Sequence, residues 1–190
     1  MDSIFCNHRE IGGNAPCFII AEVGVNHNGD MDMARKMIEI AAIVGVDAVK
    51  FQSFKAKDYI SEAAPKANYM KETTGGEGSQ VDLLTKLELS EEGHHEMIAH
   101  CEKAGVQFIS TPFESKSADF LESLEVPLFK IPSGEITNLP FLAHVARKKR
   151  PIILSTGMAC IGEVETALDT LREAGNSSVV LLHCVSNYPA

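Results

Sequence analysis

The sequence predicts a parallel α/β fold assembled from repeated strand–loop–helix units, and three observations carry that reading. Phe18 to Asp30, FIIAEVGVNHNGD, begins as an apolar run long enough for a buried strand and places a carboxylate, Glu22, where the strand is about to end. The same beat of apolar strand, polar loop and helix recurs at intervals of roughly 20 to 30 residues, as βα units require. Each strand body is apolar and each strand end is polar or charged. In parallel α/β proteins, and in (β/α)₈ barrels especially, sites are built at the carboxyl ends of strands. The pattern therefore predicts an enzyme with its site on one rim.

Residues 3 to 17, with REIGGNAP after an apolar start, predict a hairpin covering one end of the domain. After the first long strand, Asp30 is a good N-cap, and Met33, Met37, Ile40, Ala41 and Val44 give the following helix, Met31 to Val44, one apolar face. Gly45 ends it. The second strand, about Asp47 to Phe51, puts Lys50 and Gln52 on one face and Val49 and Phe51 on the other. A buried lysine there is costly unless an anion meets it; the alternative is a packed stem whose charged head escapes at the strand end. Ser53 to Leu87 is too long for an ordinary connection and suggests an active-site excursion or a surface insertion, with a helix over Gln80 to Lys86.

Ser90 with Glu91 and Glu92 starts a helix running to Lys103, before Gly105. The third strand is Val106 to Ile109, followed by STPFE. A helix over Lys116 to Leu124 leads into PLFKIPSGE, then a helix over Leu139 to Arg147, the strand of PIILSTG, a helix over Ile161 to Ala174 and the strand of SVVLLHC, with SNYP after it.

The chain has 190 residues, 45% apolar composition and a formal charge of -9. These values suit one domain with a real core and argue against nucleic-acid binding, which needs a basic face. No basic leader precedes an apolar stretch at the start, and no apolar run approaches ~20 residues. A soluble cytoplasmic protein that neither spans nor binds a membrane is expected. Cys6, Cys17, Cys101, Cys160 and Cys184 lack CxxC spacing and suit reduced thiols.

Lined up, the strand ends offer Glu22; Lys50 and Gln52; Ser110 and Thr111; Lys130, Ser133 and Glu135; Ser155 and Thr156; and Ser186, Asn187 and Tyr188. Two lysines and several hydroxyls beside Gly134 and Gly157 form a cradle for phosphate and carboxylate, and the expected ligand is a small dianion or trianion. His27 reads equally as an acid/base group or a packing and capping residue, His183 as a core histidine, and His94, His95 and His100 as a solvated helix face. No HxxxH or Asp/His cluster marks a metal site.

FIIAEVGVNHNGD, DAVKFQ, FISTPFE, FKIPSGE, PIILSTGM and LLHCVSNYP, in this order and spacing, strongly resemble the N-terminal catalytic domain of sialic acid synthases, the N-acetylneuraminate synthase family. KANYMKETTG and SQVDLLTKLEL are most similar to the N,N′-diacetyllegionaminate synthase branch. The resemblance implies a (β/α)₈ TIM barrel, of which residues 18–190 supply about six βα units behind an N-terminal hairpin cap at 1–17. It implies condensation of phosphoenolpyruvate with an N-acetylmannosamine-type sugar and water to give a nonulosonic acid and phosphate. Phosphoenolpyruvate would be bound by Lys50, Thr111, Lys130, Ser133, Ser155, Ser186 and Tyr188. The sugar would meet Glu22, Gln52, Asn187 and Tyr188, with Glu22 and Glu135 as catalytic carboxylates.

Some branches carry asparagine two residues after the last strand's cysteine, where this chain has Ser186 and then Asn187. The resemblance further implies a divalent cation, manganese, whose histidine ligands would lie on two more strands beyond Ala190, and a homodimer completed by an antifreeze-protein-like domain. Two other readings stand beside it: a Schiff-base aldolase using Lys50 or Lys130, and an inactive anion-binding or assembly domain.

Overall fold

The computed structural model of the protein describes residues 3–61 and 79–186; residues 62–78 of the excursion and the expected site residues Asn187 and Tyr188 lie outside them. The chain opens with an antiparallel hairpin, β1 (Ile4–Cys6) and β2 (Arg9–Ile11). Parallel βα units follow: β3 (Ile20–Gly24), α1 (Met31–Ile43), β4 (Ala48–Ser53), the short α2 (Ala56–Tyr59) and α3 (Gln80–Thr85), then α4 (Glu91–Ala104). The chain continues through β5 (Gln107–Pro112), α5 (Ser115–Ser123), β6 (Phe129–Ile131), a 3₁₀ turn at Ser133–Glu135, α6 (Leu139–Ala146), β7 (Ile152–Ser155), α7 (Ile161–Glu173) and β8 (Val179–Leu182).

The helix starts obey their sequence signals. The Asp30 carboxylate accepts from the backbone N–H groups of Asp32 and Met33 at 2.9 and 3.1 Å, Ser79 and Asp82 form a reciprocal capping box, and Ser90 accepts from Gly93 N–H at 3.0 Å. Strands β3, β4 and β5 pair in parallel in that order, as do β6, β7 and β8, and β5 runs beside β6. Six strands thus follow chain order along one wall. β4 and β5 both run further than their apolar residues alone suggest, because the ladder continues through Gln52 opposite Thr111 and Ser53 opposite Pro112.

The two-residue period of a strand divides the core into two layers. Val49, Phe51, Phe108, Phe129, Ile131, Ile152 and Leu154 point outward and pack with Ile38, Met97, Leu121, Leu142 and Leu171 of the helices. Ala48, Ile109, Leu128 and Ile153 point inward and form a second cluster with Cys6 and Ile11 of the hairpin. The hairpin is tied to the wall by Arg9, whose Nε donates to Asp47 at 2.7 Å, while the other Asp47 oxygen accepts from Ile19 N–H at 2.7 Å. The inward layer is apolar where the hairpin closes it. It turns polar toward the carboxyl ends.

Candidate active site

Following the inward side chains up each strand gives the site. Glu22 comes after Ile20 on β3, Lys50 and Gln52 after Ala48 on β4, Thr111 after Ile109 on β5, Lys130 after Leu128 on β6, and Ser155 after Ile153 on β7. Together with Ser133, Gly134 and Ser186 they line a cleft of about 530 Å³. Lys50 and Lys130, each at least nine-tenths buried, are therefore on one rim.

The two ammonium groups have different company. Lys50 forms an ion pair with Glu22, its register partner on β3, and donates to Thr111 Oγ1 at 3.4 Å. Lys130 donates to the Ile131 carbonyl at 3.1 Å. Burial pushes Lys130 down to about 8, and the positive charge of Lys50 pushes the same way, against weaker opposite pulls from Glu22 and Cys184. A lysine pushed down in this way is stabilised as a cation when an anion arrives.

Opposite the lysines sits a group of donors. Cys184 Sγ accepts from Gly157 N–H at 3.3 Å and lies 3.6 Å from Ser133 Oγ. Burial raises the thiol, but hydrogen bonds from Ser133, the Gly157 N–H, Ser155 and the Thr156 N–H outweigh it and leave Cys184 below the usual thiol range. Gly157 is required for this packing: a methyl group there would lie 2.8 Å from Ser186 Oγ and 2.9 Å from Ser133 Oγ. Cys184 was not singled out from the sequence, although its signal is there. Val180, Leu182, Cys184 and Ser186 alternate along one face, which is the inward one.

Several expected groups are not brought to the cleft. Ser110 is adjacent to Thr111 and so faces the helices, where its hydroxyl lies 2.7 Å from Ser53 Oγ. Thr156 donates its hydroxyl to the Leu182 carbonyl at 2.9 Å. Glu135, expected as a second catalytic carboxylate, sits at the end of the 3₁₀ turn, which redirects it into a neighbouring groove with Asp58, Glu114 and His144, where it accepts from Asn138 Nδ2 at 2.7 Å.

Among the histidines, His27 is buried and accepts from Gly29 N–H at 3.1 Å, a loop-fixing role. His183, expected in the core, is exposed on the outward face of the β8 extension. His94, expected on a solvated face, is instead 3% exposed and bonded to Ser53 Oγ at 2.6 Å and the Ser90 carbonyl at 2.8 Å. Among the described residues no group of three or more His, Cys, Asp and Glu side chains converges in a way that could hold a metal ion.

Residues 37–190 match the NeuB family. An N,N'-diacetyllegionaminic acid synthase from Campylobacter jejuni is 53% identical over 174 residues, covering 90% of this chain and 52% of that protein. The synthase of the same name from Legionella pneumophila is 49% identical over 194 residues, covering 97% and 54%. The crystal structure of N-acetylneuraminic acid synthetase from Leptospira borgpetersenii, in complex with citrate, superposes with a TM-score of 0.87 at 33% identity, over 100% of this chain and 61% of that one. The fold is thus of the TIM-barrel type. The chain spans about half the length of the curated relatives it matches. With six motifs on six strand ends and a matching family signature over most of its length, this chain belongs to the NeuB family.

Proposed function

We propose that this chain supplies the phosphoenolpyruvate-gripping half of a synthase that condenses phosphoenolpyruvate with an N-acetylmannosamine-type sugar and water, yielding a nonulosonic acid and phosphate. The observation that carries the reading is the meeting of Lys50, Lys130, Thr111, Ser133 and Ser155 in one cleft at the strand ends. Two cations and three hydroxyls suit a ligand with a phosphate and a carboxylate. The identity to N,N'-diacetyllegionaminic acid synthases favours a sugar leading to legionaminic acid.

In this reading Lys50 and Lys130 hold the two anionic ends, and the hydroxyls of Thr111, Ser133, Ser155 and Ser186 orient the phosphate. C3 of the enol attacks the sugar aldehyde carbon, positive charge develops at C2, water adds there, and the tetrahedral adduct loses phosphate. Fixed donors already aimed at the phosphate need no reorganisation as its charge changes, and such groups commonly supply a few kcal/mol each. Glu22 and Gln52 line the same rim on neighbouring strands, and in this reading they orient water or a sugar hydroxyl. Tyr188 and Asn187 would complete the sugar side. The divalent cation the family resemblance implies is expected to polarise the aldehyde.

A cytoplasmic location and a homodimer accompany this reading. No described helix is long and apolar enough to cross a bilayer. The deciding experiment is release of inorganic phosphate from phosphoenolpyruvate. Release dependent on both the sugar and manganese is expected, and its absence in the protein extended to the length of its relatives would overturn the reading.

One observation favours a second enzyme class. A buried lysine held down to about 8 beside another cation, as Lys130 is, is the environment that activates Schiff-base lysines. Borohydride with pyruvate would trap a covalent adduct on Lys130 under that reading, and none under the synthase reading.

A further inference from the structure

Glu22 and Lys50 face each other across β3 and β4, and their ion pair lies inside the cleft rather than beside it. The partners are unequally held. The Lys50 side chain is 10% exposed and also donates to Thr111, whereas the Glu22 side chain is 50% exposed. If the pair opens, the carboxylate is the member that can swing into water at little cost. Its seat by Lys50 is nevertheless shaped for it. Gly24 has a φ of 56°, and a methyl group there would come within 2.9 Å of Glu22 Oε1 and 3.5 Å of Gln52 Nε2. Among the described residues Lys130 forms no ion pair, and Glu22 acts on it only from a distance; its ammonium donates to the Ile131 carbonyl.

Two cations and one carboxylate therefore share the site, with the carboxylate seated on one of the cations. We propose that Glu22 is a built-in competing anion, which occupies Lys50 in the ligand-free protein and yields it to the second anionic group of a ligand already held by Lys130, so that a lone monoanion is directed to Lys130. A monoanion that displaces Glu22 from Lys50 exchanges one pair for another and gains little, so it binds at Lys130, where it displaces no carboxylate. A ligand with two anionic groups anchors on Lys130 first. Its second group then attacks the Glu22–Lys50 pair at high effective concentration and ends with two pairs for the one lost. The released carboxylate is left at the half-exposed mouth beside Gln52, where a second substrate would enter. The inference rests on the anion cradle proposed above and assigns Glu22 a role in ordering how the two lysines are filled, before any chemistry.

The test is isothermal titration of the 190-residue chain with phosphoenolpyruvate and, separately, with pyruvate, for the wild type, Glu22→Gln, Glu22→Ala and Lys130→Met. Removing the competitor should tighten phosphoenolpyruvate binding by about fivefold or more in both Glu22 variants, the range usual for coupled binding equilibria. Pyruvate, which displaces nothing at Lys130, should gain by a smaller factor, so the preference for the doubly anionic ligand widens. Unchanged or weaker phosphoenolpyruvate binding in both Glu22 variants, with a wild type that binds in a Lys130-dependent way, overturns the competitor role and leaves the cradle standing. Tighter binding in which pyruvate gains as much as phosphoenolpyruvate, or more, overturns the direction of monoanions to Lys130. A wild type that binds neither ligand, with Lys130→Met no different, overturns the cradle and the competitor together.

Discussion

At the scale of single residues, Lys130 shows how far the fold is strained toward a ligand. Its amine is held down to about 8 by burial first and by Lys50 second, whereas an unfolded lysine keeps its proton to about 10.4. Between those two values the unfolded chain binds more protons than the folded one, so folding stability rises with pH across that window, and the full penalty applies below pH 8. Lys130→Met removes the buried charge. It should be more stable than the wild type by on the order of 2 to 3 kcal/mol at pH 7, with the gap closing toward pH 10.5 in urea titrations, while phosphoenolpyruvate binding is lost. A variant less stable at pH 7 would show that the ammonium is well solvated where it sits. That Lys50 and Lys130 meet was legible in the sequence, since strand parity alone puts Lys50 with Gln52 and against Phe51. Glu135 was not legible, because a 3₁₀ turn of three residues has no apolar period to reveal which way it faces.

At the scale of elements, α4 is bonded to the outer face of the wall through one polar chain. The Ser90 carbonyl accepts from His94 Nδ1–H, which leaves Nε2 to accept from the Ser53 hydroxyl, and Ser53 in turn contacts Ser110 on β5. This arrangement needs a neutral ring, and burial holds His94 down to about 4, with the Ser90 carbonyl pulling the other way. An unfolded histidine takes up its proton near pH 6.5, so stability is complete above that pH and is lost as pH falls toward 4. His94→Gln keeps a side chain able to bond Ser53 but cannot titrate. It should cost about 1 to 3 kcal/mol at pH 7, and the difference from the wild type should shrink between pH 6.5 and 4; parallel urea midpoints over that range would refute the account. The burial of His94 could have been read from its spacing to Met97 and Cys101, which puts it on the apolar stripe of α4. The neighbouring His95 masked that signal, since two adjacent histidines suggest solvent. The extra length of β4 and β5 was hidden for a different reason: Gln52, Ser53 and Thr111 are held in the ladder by their neighbours, not by their own propensity.

At the scale of the whole molecule, the wall has two sides that differ in what covers them. Among the described residues β3 pairs only with β4, and β8 only with β7. Exposed apolar groups include Ile40 and Ile43 on α1, Val44 just after it, Leu181 on β8 and Val185 beyond it. A sheet edge with unpaired backbone groups beside apolar side chains is a template for pairing with another chain. The formal charge of -9 opposes this only weakly at physiological salt, where fields fade within about 8 Å. The 190-residue chain should therefore self-associate in light scattering, with its apparent mass rising above 20.6 kDa as concentration increases. Ile43→Lys combined with Leu181→Lys should return it toward that mass, and a wild type that stays at 20.6 kDa throughout would exclude edge pairing. Because the cleft is built from inward side chains and these contacts are outward, anion affinity per chain should not change with association; a loss of binding in the larger species would mean that the strand ends themselves are drawn into the contact.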